Sequence, residues 1–219
     1  MKPVVWLMRG AIGASLSVLP TAAYAHSPVT GLGTFYGYLL HPVSVPSHAL
    51  LVIGTALMLG QQGREIANRG LPVFGCGLIT ALGLSRLVPA QGVAEHILLV
   101  MALMIASLVV LDRRIPALLA MVLAAAAGLA IGHDSIPVAG SDTGSLLALA
   151  GVTLGALYLT LVIAGLSSGL AKTWQRVGIR IAASWVAAAC LLVLSLTFAS
   201  SSKHVASAPE TSSEVIWLC

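Results

Sequence analysis

Six histidines, His26, His41, His48, His96, His133 and His204, are the side chains of this chain best able to do chemistry, with Glu95, Asp134 and Asp142 as nearby carboxylates. Imidazole and carboxylate together suit Ni²⁺, Co²⁺, Zn²⁺ or Cu²⁺. His41 and His48 bracket Pro42 and Pro46 in the stretch His41-Pro-Val-Ser-Val-Pro-Ser-His48. On an unbroken helix this spacing would put both rings on one face but about 10 Å apart. That is too far to share an ion held about 2.0–2.1 Å from each nitrogen. Proline removes a backbone donor and breaks the helical ladder, so the segment is expected to bend. The freed carbonyls must then face protein or a polar cavity. Interrupted helices of this kind mark ion sites in transporters, although the same residues also fit a plain proline kink carrying two interfacial histidines.

The elements that position these groups follow from composition. Hydrophobic residues make up 58% of the chain and charged residues 8%, against roughly 25% charged in soluble domains. The apolar residues gather into runs of about 18 to 25, long enough to cross a hydrocarbon core of roughly 30 Å as helices. Only helices or closed barrels satisfy the backbone in lipid, and the period-2 alternation of a barrel is absent. The expected fold is all-α: a polytopic transmembrane helix bundle of about six spans after a cleavable signal peptide. The spans are read at 33–59, 71–88, 95–111, 115–132, 146–170 and 177–199, within a helical domain 26–200, with a C-terminal tail at 201–219.

Lys2 and Arg9 precede the modest apolar stretch Ala11–Leu19, and Ala23-Tyr24-Ala25 has the small-x-small pattern of a signal-peptidase site. Cleavage there makes 1–25 a signal peptide and His26 the first mature residue; an uncleaved anchoring helix is the alternative. With the mature N-terminus outside, the inner loops hold Arg64, Arg69, Arg113, Arg114, Lys172 and Arg176, with Arg180 just inside the last span. Only Arg86 and Lys203 stay outside, which satisfies the positive-inside rule. This topology implies a multi-pass protein of a bacterial inner membrane with both mature termini periplasmic and all the histidines on the outer side.

The best metal constellation on that map draws His41 and His48 from the broken span, Glu95 and His96 from the start of the third, and His133 and Asp134 from the end of the fourth. Glu95 and His96 point about 100° apart on a helix, so one of them faces the bundle. Glu95 also fits as a charge complementing the helix dipole. His26 would join its ring to a free amine as a chelator. Pro28 has no amide to add, and an ordinary exposed terminus is the other reading. His204, in a Ser-rich stretch, reads as a bystander. The cysteines have no Cys-x-x-Cys spacing. No permanently bound cofactor is expected, only a transported or bound divalent ion.

Other function classes are disfavoured. The net charge of +4 is spread over many loops, which gives no basic patch for nucleic acid. No Walker-type phosphate loop occurs, and no nucleophile or general base stands out beyond the residues above, so the chain is not expected to be an enzyme. Gly151/Gly155 and Gly165/Gly169 are small-xxx-small pairs suited to close helix contact, and Trp174 sits where an interfacial anchor belongs.

Three stretches resemble the HupE/UreJ family of hydrogenase and urease gene clusters, whose members are regarded as nickel or cobalt permeases. His41-Pro42 followed by Ser47-His48 and the apolar run 49–54 matches the family's first motif, with Ser47 where the family carries an acid. Val88-Pro-Ala-Gln-Gly-Val-Ala-Glu95 resembles a segment with a glutamate ahead of an apolar helix, and Asp112-Arg-Arg-Ile-Pro116 a short basic loop. Gly132-His133-Asp134-Ser135 is a reduced form of a second motif. The resemblance implies uptake of Ni²⁺ or Co²⁺ through an outward-facing His/carboxylate site, and favours Glu95 over His96. It is equally compatible with a non-transporting metal-binding or maturation accessory of hydrogenase or urease, acting as a homo-oligomer or with maturation partners. A structural membrane protein with incidental histidines is a third class. The signal-peptide reading has a direct check: N-terminal sequencing of the protein purified from membranes is expected to begin His-Ser-Pro-Val, whereas a chain still starting at Met1 would mean an anchoring helix.

Overall fold

Pro42 and Pro46 set the shape of the first part of the bundle. The computed structural model describes residues 33–84, 95–135 and 142–206, and of residues 142 and 200–206 the backbone alone. The expected signal peptide (1–25), His26 and the residues beyond 206 lie outside the described residues. The expected first span comprises three helices: α1 (Gly33–Leu39), α2 (His41–Ser44) and α3 (Pro46–Gln61). Val45 is extended, with φ −95 and ψ 113, the region into which a following proline drives its neighbour.

Five continuous helices follow: α4 (Arg64–Leu84), α5 (Glu95–Val110), α6 (Ala117–Asp134), α7 (Asp142–Ser168) and α8 (Thr173–Ala206). No strand occurs among the described residues, so the fold is all-α. Of these, α4, α6, α7 and α8 are long and apolar enough to cross a membrane, and α5 is a shorter apolar helix. Three helix starts differ by four residues or more from the hydropathy reading, one of them α7, which begins at Asp142 rather than 146. α4 begins at Arg64 rather than 71, because Pro72 is held within the helix rather than ending it. α8 begins at Thr173 rather than 177, taking Gln175 and Arg176 into its first turn. Leu118, Tyr158 and Trp185 are 70% exposed or more, as suits side chains that face lipid. The chain is a multi-pass membrane protein.

α3 is the hub. It packs against α4, α5, α6, α7 and α8, and Leu51, Val52, Ala56, Met58 and Leu59 on different sides of it are all fully buried. Around it the helices approach closely through glycine. In lipid no hydrophobic force draws helices together, so small residues that let backbones touch carry the association. A Cβ at Gly132 would lie 2.6 Å from the Leu78 carbonyl oxygen, and one at Gly128 would overlap the carbonyl of Phe74, which joins α6 to α4. Gly151 and Gly155 do the same for α7 against α1, a Cβ at Gly151 falling 2.6 Å from the Phe35 oxygen. Of the two expected small-residue pairs, this one is used. Gly165 of the other has nothing within 4 Å, so its spacing reflects composition rather than contact.

The bundle has two chemically different ends. Arg64, Arg113, Arg114, Lys172 and Arg176 cluster where α3 hands over to α4, α5 to α6 and α7 to α8, and Arg180 Nε donates to the Val110 oxygen at 2.8 Å there. His41, His48, His96 and His133 are gathered at the other end. The packing generates a paired expectation. Gly128→Ala should lower the unfolding temperature of the purified protein by an amount equivalent to about 1–3 kcal/mol, the usual cost of overpacking. Gly165→Ala should leave it within about 0.5 kcal/mol, the scale of a neutral surface change. Equal melting of the two variants would contradict the assigned α4–α6 contact.

Candidate metal centre

The first turn of α3 begins directly after the extended Val45, and burial closes over it: Ser47 is 1% exposed and His48 0%. The break that starts this turn also folds His41 back toward it. The rings of His41 and His48 stand 5.2 Å apart between centroids, at an interplanar angle of 77°, where a continuous helix would separate them by about 10 Å. Tyr38 also packs on His41, with centroids 5.9 Å apart. The expected effect of the prolines is therefore realised as a physical approach of two imidazoles.

His48 meets the end of α6. Its Nε2 lies 2.8 Å from Asp134 Oδ2, and the Asp134 side chain is only 9% exposed. An ionised carboxylate only accepts, so Nε2 carries the proton and donates. In a neutral ring that donates through Nε2 the lone pair lies on Nδ1, a buried atom with no hydrogen-bond partner among the described residues. Imidazoles that ligate metals commonly donate their other N–H to a carboxylate, which fixes tautomer and ring orientation. His48 is held in that manner, with its other ring nitrogen buried. His133 Nδ1 and Ser135 Oγ, on either side of Asp134, are likewise buried without a partner among the described residues. Polar atoms seldom remain so unless water or an ion joins them.

The remaining expected ligands fare differently. Glu95 opens α5 as an exposed side chain and makes no hydrogen bond or ion pair among the described residues; its place in the first turn suits the helix dipole. His96 packs on Phe198, with centroids 5.8 Å apart. His26 and the 85–94 stretch lie outside the described residues, and of Asp142 and His204 only the backbone is described. Asp134 touches His48 through Oδ2. Among the described residues, no three His, Cys, Asp or Glu side chains converge as a ready metal cage. The arrangement is thus a pair of neighbouring imidazoles, one of them braced by a carboxylate.

Two features lay outside the sequence reading. The Gly128/Gly132 contact repeats the spacing recognised at Gly151/Gly155 and was legible by the same rule. Gln61 and Asp112 at the opposite end form a part-buried polar contact, signalled only by a glutamine closing an otherwise apolar run.

Fold and site together define a multi-pass helical membrane protein with a buried histidine–aspartate pair at a broken helix. The chain belongs to the HupE/UreJ family: the family described as HupE / UreJ protein matches residues 14–196. Neither a curated protein nor a solved structure matches it.

The brace on His48 can be tested through stability. Asp134→Ala strips the acceptor from a buried donor and should destabilise by about 1.5–3 kcal/mol, the range for hydrogen bonds to charged groups. Asp134→Asn, which keeps an acceptor oxygen, should cost clearly less. Identical melting temperatures for the two variants would show that the contact contributes nothing.

Proposed function

We propose that this chain admits a divalent transition-metal ion, nickel or cobalt, across a bacterial inner membrane, with the histidine end facing the periplasm and the basic end the cytoplasm. The observation that carries the reading is the buried His48, braced by Asp134, with the His41 ring 5.2 Å away at the proline break. Membership of the HupE/UreJ family supports the choice of ion, and the arginine and lysine residues at one end support the orientation through the positive-inside rule. The ion here is cargo. A site that passes ions must bind well enough to load and weakly enough to release, and two imidazoles with a partly open shell fit that need better than a closed four-ligand cage. His41 and His48 would supply nitrogen ligands, His133 a further one, and Asp134 the orienting carboxylate. Glu95 and His26 remain proposed contributors at the outer mouth. An inside-negative potential favours inward movement of a dication by about 4.6 kcal/mol per 100 mV, so no hydrolysis by this chain is needed.

The test is accumulation of ⁶³Ni²⁺ and ⁵⁷Co²⁺ in cells lacking other uptake systems. Cells expressing the wild-type protein should exceed the empty vector, and His41→Ala/His48→Ala at matched membrane levels should return to it. Equal counts in all three would defeat the uptake reading. Nickel binding by the purified wild type without any accumulation would instead identify a metal-holding accessory of hydrogenase or urease.

A further inference from the structure

Although α7 and α8 are joined by the short turn 169–172, each packs on α3 rather than on the other. Gly60 of α3 meets Ser167 of α7, and Gly54 of α3 meets Val186 of α8. Between the two helices lies an open groove of about 320 Å³. Its floor is Leu57 of α3, 7% exposed, and its walls include Ile163, Leu166 and Leu170 on α7 and Gly178 and Ile179 on α8. Ser167 also borders it, but its Oγ donates to the Ile163 oxygen of its own helix at 2.6 Å. The lining therefore presents hydrocarbon. At Gly178 nothing stands within 4 Å of where a Cβ would be, so the groove is kept open where a larger side chain would fill it. Such a volume lies at the lower end of the roughly 300–1,000 Å³ of small-molecule sites. The groove opens to the outer surface of a membrane protein, where Leu166 is 69% exposed, and an apolar surface there takes up lipid chain in preference to water.

The end of the groove beside the turn has a different chemistry. Trp174 and Gln175 line it, with Trp174 70% exposed, as suits an indole whose N–H reaches the headgroup level. Gln175 Oε1 accepts from the Lys172 backbone N–H at 3.0 Å, and its Nε2 has no partner among the described residues. The Lys172 side chain is exposed and makes no ion pair among the described residues. The neighbouring guanidinium groups are directed to α5 and the turn after it: Arg180 donates to the Val110 oxygen, and Arg176 approaches Asp112. An ammonium, an indole N–H and an amide NH₂ are all donors. Donors and one uncompensated positive charge above a hydrocarbon slot complement a phosphodiester that carries an acyl chain. Basic pockets between transmembrane helices bind anionic headgroups on this principle. A zwitterionic headgroup brings its own cation and gains less from Lys172.

We infer that the groove between α7 and α8 is a binding site for one anionic phospholipid, with an acyl chain against Leu57 and the phosphate on Lys172, Trp174 and Gln175. The inference does not depend on the uptake reading.

The test uses the full-length protein extracted from vesicles of equimolar phosphatidylglycerol and phosphatidylcholine with identical acyl chains, with the retained lipid read by native mass spectrometry. The wild type should keep phosphatidylglycerol over phosphatidylcholine by about fivefold or more, the scale of one basic side chain at an anionic surface. Lys172→Gln should bring the two lipids to near-equal retention. Gly178→Leu, whose side chain enters the groove, should lose the retained lipid whichever its headgroup. Equal retention of both lipids by the wild type overturns the inference, as does a preference that Lys172→Gln leaves intact or retention that Gly178→Leu leaves unchanged. A wild-type dimer that Gly178→Leu converts to monomer would put a second copy of the chain in the groove and overturns it as well. Lys172 is exposed and unpaired, so its replacement leaves folding undisturbed and decides the matter even if Gly178→Leu is poorly produced.

Discussion

Because Pro46 has no N–H to give and forces Val45 out of the helical region, the chain enters the bundle in pieces and then as a single buried helix. A backbone break at membrane depth is tolerable only where protein or a polar cavity receives the freed groups. α1 and the first turn of α3 meet that condition in different ways. α1 lies against α7 through Gly151 and Gly155, while the first turn of α3 is sealed and takes its polar partner, Asp134, from α6. The same break that removes two backbone donors thus brings His41 beside His48 and delivers His48 to a carboxylate. Without the prolines, a continuous helix would leave the two rings about two turns apart.

The rest of the bundle serves to keep α3 enclosed. Glycine contacts draw α6 onto α4 and α7 onto α1, and the shorter α5 is fixed at its C-terminal end by side chains of other helices. Its last carbonyls have no intrahelical donors. Val109 receives Gln61 and Val110 receives Arg180, the latter also placing a cation at the negative end of the helix dipole. The basic end is therefore more than a topological signal; two of its polar side chains, Gln61 and Arg180, hold helices in place.

Much of this was legible in the sequence because the underlying rules are local. The apolar runs predicted helices, the Pro42/Pro46 pair predicted a break, and the histidine spacing across that break pointed to the corner where the His41 and His48 rings meet. Rules of span length were less successful at Pro72 and at Thr173–Arg176, since neither a single proline in an early turn nor a polar first turn stops a helix whose remaining face is packed. The His48–Asp134 contact joins positions 86 residues apart, and nothing local to either residue announces it. Both lay among the named ligands, yet only the structure shows that one braces the other. Glu95 illustrates the opposite case: its sequence context resembled a family position, while its side chain stands exposed at a helix start.

Ser47 bears on how tightly such a site can hold a dication. The resembling family carries an acid there; here the position is a serine at 1% exposure beside a fully buried histidine. An acid at 47 in addition to Asp134 would place two carboxylates in one poorly hydrated corner, and like charges so confined resist joint ionisation unless a cation is present. With a single carboxylate, already engaged by His48, the corner avoids that repulsion. It also attracts a dication less strongly than a two-acid corner would, and an ion held by fewer charges leaves sooner. Under the proposed uptake function, the replacement that looks in the sequence like the loss of a ligand would favour passage over retention.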